Sequence, residues 1–411
     1  MRTRFVSSGL WNKVSYSLLH AVLLTLGGIS QLLFIRMLNQ NLNSKAFTEV
    51  MLIMSLSLLV PFIDFGAYNL TLYSFSSKTD ASLVRLPKEK KYFSLIYSLC
   101  VCGVLIITSL PLLFFSVTFY FGLFIMVSGL TLIGTWSLIV IRTKGYIKTS
   151  LFFLNIQWPI SYWTMILLSR FHIRLNLYCG LIPSFVTLFI VSVFCFVYFV
   201  MKINRRSYKL SDFFSLRLND FQDRAREVLW FTLIAIPIPL MMQLDKYMYY
   251  FFGVRNSLAS YSVYMFFFSG VVSIVSVANT VAISERLQQV NGKSNILDVR
   301  VLGGLGAISF VFLVPSVFRL AFPHLHPIPY ISFLLGLYIF TISIFYNANL
   351  AILDIQHLKI RTLQYWLQFV AWLALTSIFI KILGIYDAVI CGIVSSVLSY
   401  LKIRRISGRL K

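Results

Sequence analysis

The sequence predicts an all-α integral membrane protein of about twelve transmembrane helices, and three observations carry that expectation. Of 411 residues, 58% are hydrophobic and only 12% charged, which leaves too little polar surface to cover the apolar mass of a water-soluble fold. Tyr92 to Ile141 pass without a charged side chain, and comparable stretches recur along the chain. These stretches are continuously apolar rather than alternating, which selects helices over barrel strands as the spanning form whose backbone is satisfied in lipid.

A helix crosses the bilayer core with roughly 20 apolar residues. On that measure the spans fall near 14 to 37, 47 to 73, 92 to 115, 118 to 141, 147 to 169, 175 to 201, 228 to 252, 259 to 283, 299 to 321, 328 to 351, 362 to 381 and 384 to 402. The first follows Met1 to Lys13, which resembles the charged start of a signal peptide. Its apolar segment outruns an h-region and no small-residue cleavage site closes it, so it is expected to remain as a span. The second carries Asp64. The third and fourth together fill Tyr92 to Ile141 and must be joined by a turn of almost no length. The fifth holds Asn155 and Gln157. After the sixth comes the one long polar connection, Lys202 to Arg226. The seventh contains Pro237, Pro239, Asp245 and Lys246, the eighth Asn279, and the tenth Asn347 and Asn349.

The central connection divides the chain into an N-terminal six-helix lobe over 1–202, a basic cytoplasmic linker over 203–226 and a C-terminal six-helix lobe over 227–411. Ser44, Ala46 and Val50 match Ser257, Ala259 and Val263 at one constant offset, each set leading from a short turn into an apolar span. That agrees with duplicated lobes, an arrangement in which transporters place their substrate path between repeats.

A net charge of +23 raises the question of nucleic acid, and the placement of the charge answers it. Most of the 36 basic residues fall in one set of alternate loops, around Lys13, Lys88 to Lys91, Arg142 to Lys148, Lys202 to Arg226, Arg286 to Arg300, Lys359 to Arg361 and Lys402 to Lys411. By the positive-inside rule those loops and both termini face the cytoplasm, where the charge also meets anionic headgroups. No zinc-finger spacing, RNP motif or basic recognition helix accompanies it, so nucleic acid is not an expected partner. Five cysteines, odd in number and without a C-x-x-C, read as small hydrophobes. The phosphate-binding G-x-x-x-x-G-K-[ST] and a strand-following G-x-G-x-x-G are both missing, and the loops are too short for a catalytic domain. An enzyme is not expected, nor a cofactor or resident metal; His324 and His326, one residue apart with no acid or cysteine nearby, make a weak metal site.

Charge inside a membrane costs about 2.5 to 3.5 kcal/mol per residue on insertion scales, so what persists there is a functional candidate. The candidates are Asp64, Asp245 and Lys246, with Arg36 at the outer end of the first span. Asp245 and Lys246 are adjacent, and neighbours on a helix point about 100° apart, so each needs another partner. Arg36 and Lys246 occupy corresponding places in the two lobes; two cations facing one cavity would hold a pyrophosphate or an acidic sugar. The plainer alternatives are that Arg36 snorkels to headgroups and that Lys246 pairs with an acid on another helix. Gln31 and Asn279 either line a sugar path or bond helix to helix. Pro237 and Pro239 each delete a backbone donor, so the seventh helix should bend there and serve as a hinge.

Asp64-Phe65-Gly66, followed by Leu70 to Ser77, resembles the D-hydrophobic-G signature of the Wzx polysaccharide flippases, within the multidrug/oligosaccharidyl-lipid/polysaccharide (MOP) superfamily that also holds the MATE antiporters. Leu244-Asp245-Lys246-Tyr247, then Phe252-Gly253, then Ala259 and Tyr261, is similar to that family's seventh-span pattern. Leu38-Asn39-Gln40-Asn41 departs from it, standing in place of the usual Leu-Gly-Pro-like turn. The resemblance implies two six-helix bundles around a central, often cationic cavity. It implies a bacterial inner-membrane flippase that carries undecaprenyl-pyrophosphate-linked oligosaccharide, such as an O-antigen unit, to the outer leaflet. Expected partners are that lipid-linked oligosaccharide, membrane lipids, and a polysaccharide polymerase with its chain-length regulator. Moving a dianion outward is electrically downhill by about 2.3 kcal/mol per charge per 100 mV, so H+ or Na+ coupling is permitted without being required. The competing expectation is a cation-coupled multidrug antiporter of the MATE type, with Asp64 or Asp245 titrating. A polysaccharide polymerase would carry a large outer loop, and an acyltransferase a His/Asp cluster; the sequence offers neither.

Overall fold

A computed structural model of the chain describes residues 25–57, 88–115, 119–143, 147–170, 229–234, 236–254, 257–288, 299–349 and 358–409, with residues 22, 193 and 197. Among these residues all long regular structure is helical. The helices are α1 (residues 25–41), α2 (Ser44–Ser57), α3 (Lys88–Leu113), α4 (Phe119–Thr143), α5 (Ile147–Arg170), α6 (Pro237–Phe251), α7 (Leu258–Gln288), α8 (Val299–Ala321), α9 (Ile331–Asn349), α10 (Leu358–Leu383) and α11 (Asp387–Arg409). Leu258–Ser276, Val299–Ala321, Ile331–Asn349 and Lys359–Arg405 are long and apolar enough to cross a membrane, the last of them holding two helices. The chain is an all-α integral membrane protein.

Two compact units are present. The first comprises Met1–Leu42 and Leu86–Leu218, the second Asn43–Arg85 and Asn219–Lys411.

In the first unit the uncharged run Tyr92 to Ile141 folds back on itself as α3 and α4, which pack along their length; α5 packs on α4. Small residues permit the approach. A Cβ at Gly122 would stand 2.8 Å from Leu112 Cβ, and one at Gly129 would stand 3.1 Å from the Cys102 carbonyl oxygen. Without a hydrophobic drive between helices in lipid, such close backbone contact is a main source of attraction. Pro111 lies inside α3, and the Pro111 carbonyl accepts from Phe114 N–H as the helix ends. On α1, Phe34 is buried with its ring 5.5 Å from that of Tyr162, and the Ser169 hydroxyl lies 2.9 Å from the Met37 sulfur.

In the second unit the tightest pairing is α8 with α9, which meet through glycines on both helices. A Cβ at Gly303 would fall on the Ser343 side chain, and one at Gly336 would come within 2.6 Å of Val311 Cγ2. Around them runs an aromatic core: Phe268 stacks on Tyr338 at 5.2 Å and meets Phe310 edge-on, while Tyr264 stacks on Phe318 at 4.4 Å. Helix α11 packs on α9 and α10, and α2 packs on α6 and α7. Asn43 starts α2, its side-chain oxygen accepting from Ala46 N–H at 2.8 Å, which satisfies one of the orphan donors of a helix start.

The proline pair acts as a restart. A helical stretch over 229–234 ends, and α6 begins with Pro237 at its first position, where a proline costs nothing because that N–H would have no partner. The cost falls on the preceding turn, since the Leu233 carbonyl would receive the N–H of residue 237 and proline has none. Trp366 of α10 supplies the missing donor, its indole N–H reaching the Leu233 oxygen at 2.8 Å. At the far end, Val254 N–H returns to the Tyr249 carbonyl at 2.9 Å while Gly253 holds φ +83°, the left-handed closure that glycine adopts without strain.

Candidate functional site

The second half of α6 is a hub of buried polar side chains. Asp245 and Lys246 are each 2% exposed, and their partners lie in different directions. The Tyr261 hydroxyl of α7 donates to Asp245 Oδ2 at 2.5 Å, and Asp245 Oδ1 accepts the Lys246 backbone N–H at 2.7 Å. Lys246 Nζ donates to Gln243 Oε1, one turn earlier on its own helix, at 2.5 Å. The side chain of Tyr247 donates to the Leu52 carbonyl of α2 at 2.8 Å. A carboxylate and an ammonium withdrawn from water require this kind of direct satisfaction.

Tyr249, one turn beyond Asp245, extends the hub to the junction of α10 and α11. Its ring meets Tyr261 edge-on at 5.0 Å. Its hydroxyl donates to the Ile385 carbonyl at 3.0 Å and accepts from Ala388 N–H at 2.9 Å. The turn it grips, Gly384–Tyr386, starts with Gly384 at φ +57°, and the Trp372 indole closes the other side by donating to the Ala388 carbonyl at 2.9 Å. Asp387 heads α11 with no solvent exposure; its Oδ1 lies 3.2 Å from the Cys391 sulfur, while Oδ2 has no hydrogen-bond partner among the described residues. Tyr249 lies within electrostatic reach of both Asp245 and Asp387.

From Asp387 a polar stripe continues down α10. Gln364, Gln368 and Thr376 are buried there, at a spacing that keeps them on one face. Gln368 Nε2 donates to Ser396 Oγ at 2.8 Å, while the side-chain oxygens of Gln364 and Gln368 lack partners among the described residues. Such groups in apolar helices either bond helix to helix, as Gln368 does, or line a polar path.

Of the residues expected to bear function, Asp245, Lys246 and Asn279 belong to the second unit, and Gln31 and Arg36 to the first. Gln31 is half-buried and Arg36 exposed on α1. Asn279 lies on α7, its side-chain carbonyl without a partner among the described residues. Asp64 lies outside the described residues. Pro237 and Pro239 form the restart of α6. His324 and His326 are exposed in the α8–α9 turn, and no group of three potential metal ligands occurs among the described residues.

Sequence reasoning missed Asp387 and Tyr249. Asp387 falls in the first turn of the span expected over 384 to 402, where an acid reads as lying at the membrane edge rather than within it.

No protein-family model matches the sequence, and no curated protein matches it. Solved structures do. An outward-facing multidrug-resistance MATE-family transporter of the MOP superfamily aligns over 96% of each chain at 13% identity, with a TM-score of 0.61. An inward-facing transporter of that description aligns over 94% of this chain and 95% of that one, at 14% identity and a TM-score of 0.59. A MOP-superfamily transporter from Pyrococcus furiosus Vc1 (DSM3638), whose binding pocket of reverse polarity suggests a different function for it, covers 96% of each chain at 13% identity and a TM-score of 0.59. Over nearly its whole length, therefore, the chain has the twelve-helix fold of the MATE transporters of the MOP superfamily.

Proposed function

We propose that the protein is a flippase that carries an undecaprenyl-pyrophosphate-linked oligosaccharide, an O-antigen unit or a related surface polysaccharide, from the cytoplasmic to the outer leaflet of a bacterial inner membrane. The observation that carries this reading is Lys246, a lysine buried in an apolar lobe beside Asp245, whose ammonium hydrogen bond among the described residues goes to a neutral amide, that of Gln243. A buried cation is costly to keep and suits an anionic cargo. Alternating access supports the reading too, since outward- and inward-facing transporters match the same chain. Lys246 is the proposed contact of the pyrophosphate, and Asp245 and Asn279 of the same unit are proposed substrate contacts with it; Arg36, Gln31 and Asp64 are the further candidates. Both termini lie in the cytoplasm, and the polymerase and chain-length regulator act on the delivered unit.

The test is Lys246→Ala in cells that depend on this gene. Export of surface glycan should fall while membrane protein level is unchanged, and lipid-linked units should accumulate on the cytoplasmic leaflet; unchanged export removes Lys246 from the mechanism. A second reading, a cation-coupled multidrug antiporter, is favoured by Asp387, whose Oδ2 is buried without a hydrogen-bond partner among the described residues, one tyrosine away from Asp245. Drug tolerance conferred by overexpression and lost in Asp387→Asn, with normal glycan in the deletion strain, would establish that reading in place of the first.

A further inference from the structure

We infer that the cavity under the α8–α9 turn binds the phosphate of an anionic lipid headgroup. This cavity, of about 370 Å³, lies wholly within the second unit and is lined by Tyr264, Arg319, Ile328, Tyr330, Ser332 and Phe333 among others. The volume falls in the range of small-molecule sites, about 300 to 1,000 Å³. Its chemistry is one-signed. Arg319 is the charged group of the lining, and no acid occurs anywhere between Asp298 and Asp354, so neither α8 nor α9 offers the guanidinium a carboxylate. The Tyr264 hydroxyl pairs with Ser332 and lies within the field of Arg319. An arginine with two hydroxyls beside it is a donor set suited to phosphate oxygens.

Position selects a lipid over a soluble ion. Arg319 stands in the last turn of α8, a 23-residue span, which puts the guanidinium at the height of the headgroups. Tyr330, 81% exposed, stands at the rim, where membrane proteins concentrate tyrosine. Phe333 lines the cavity and also belongs to the exposed apolar surface formed with Phe312, Leu313, Leu337 and Phe340, along which acyl chains would lie. The mouth is fixed in advance by Pro327 and Pro329, with Tyr330 held at φ +56°, so little order has to be imposed on binding.

Native mass spectrometry of the purified full-length protein, supplied with equal amounts of phosphatidylglycerol and phosphatidylcholine, tests this. The wild type should retain phosphatidylglycerol in preference. Arg319→Gln, an exposed site where folding is not at stake, should lose about tenfold in that affinity, the loss of one charge-assisted contact. Arg319→Lys should keep most of it, and Arg404→Ala, which removes an exposed charge from α11, should behave as wild type. An unchanged Arg319→Gln, an equal loss in Arg404→Ala, or equal retention of phosphatidylcholine would overturn the site. Complete displacement of the lipid by millimolar inorganic phosphate would overturn the lipid assignment in favour of a soluble phosphate ligand. The result is independent of which cargo the protein carries.

Discussion

Asp245 and Tyr249 stand one turn apart on α6 and both meet Tyr261, so a single hydroxyl secures the carboxylate and a single ring packs the tyrosine that holds the α10–α11 turn. Removing the Tyr261 hydroxyl leaves Asp245 Oδ2 buried without its donor, at a cost of about 1 to 3 kcal/mol. Thermal unfolding of Tyr261→Phe in detergent should show that loss, and Tyr249→Phe, which deletes two hydrogen bonds at the turn, should show a loss of similar size. Asp245 and Lys246 were legible in the sequence because charge in an apolar span is conspicuous. Their partners were not: Tyr261 looks like any interfacial tyrosine, and its approach to Asp245 depends on how α6 and α7 pack. Asp387 stayed hidden for the opposite reason, because an acid at the very start of a span reads as lying at the membrane edge, and only tertiary packing removes it from water.

At the scale of elements, the uncharged run from Tyr92 to Ile141 was readable as two helices with almost no connection, and α3 and α4 are that pair. The proline pair announced a disturbance in the seventh span, but not its form. Whether a helix bends or restarts depends on whether another group can satisfy the freed carbonyl, and Trp366 lies far along the sequence. Trp366→Phe should therefore destabilise the second unit by about 1 to 3 kcal/mol, whereas phenylalanine substitutions at exposed tryptophans such as Trp163 should be close to neutral. The α8–α9 seam gives a second expectation. Gly303→Ala drives a methyl into Ser343 and should cost about 1 to 3 kcal/mol; adding Ser343→Gly should recover most of it, because both clashing atoms then disappear. No recovery in the double variant would locate the damage elsewhere.

At the scale of the whole molecule, the fold was legible because lipid leaves few alternatives: a chain this apolar must bury its backbone in helices. The asymmetric distribution of basic residues sets the expected orientation, and a fluorescent protein fused after Lys411 should fold and glow in the cytoplasm, whereas alkaline phosphatase at the same point should stay inactive. The grouping of Asn43–Arg85 with Asn219–Lys411 has a consequence for biosynthesis. Helix α2 leaves the ribosome long before α6 and α7, the helices it packs against, have been made. At about 5 to 20 residues per second, it waits in the bilayer for many seconds with the face that will receive Tyr247 still open. During that interval it must be held by lipid or by the insertion machinery, and the second unit closes only after the first has been fully synthesised.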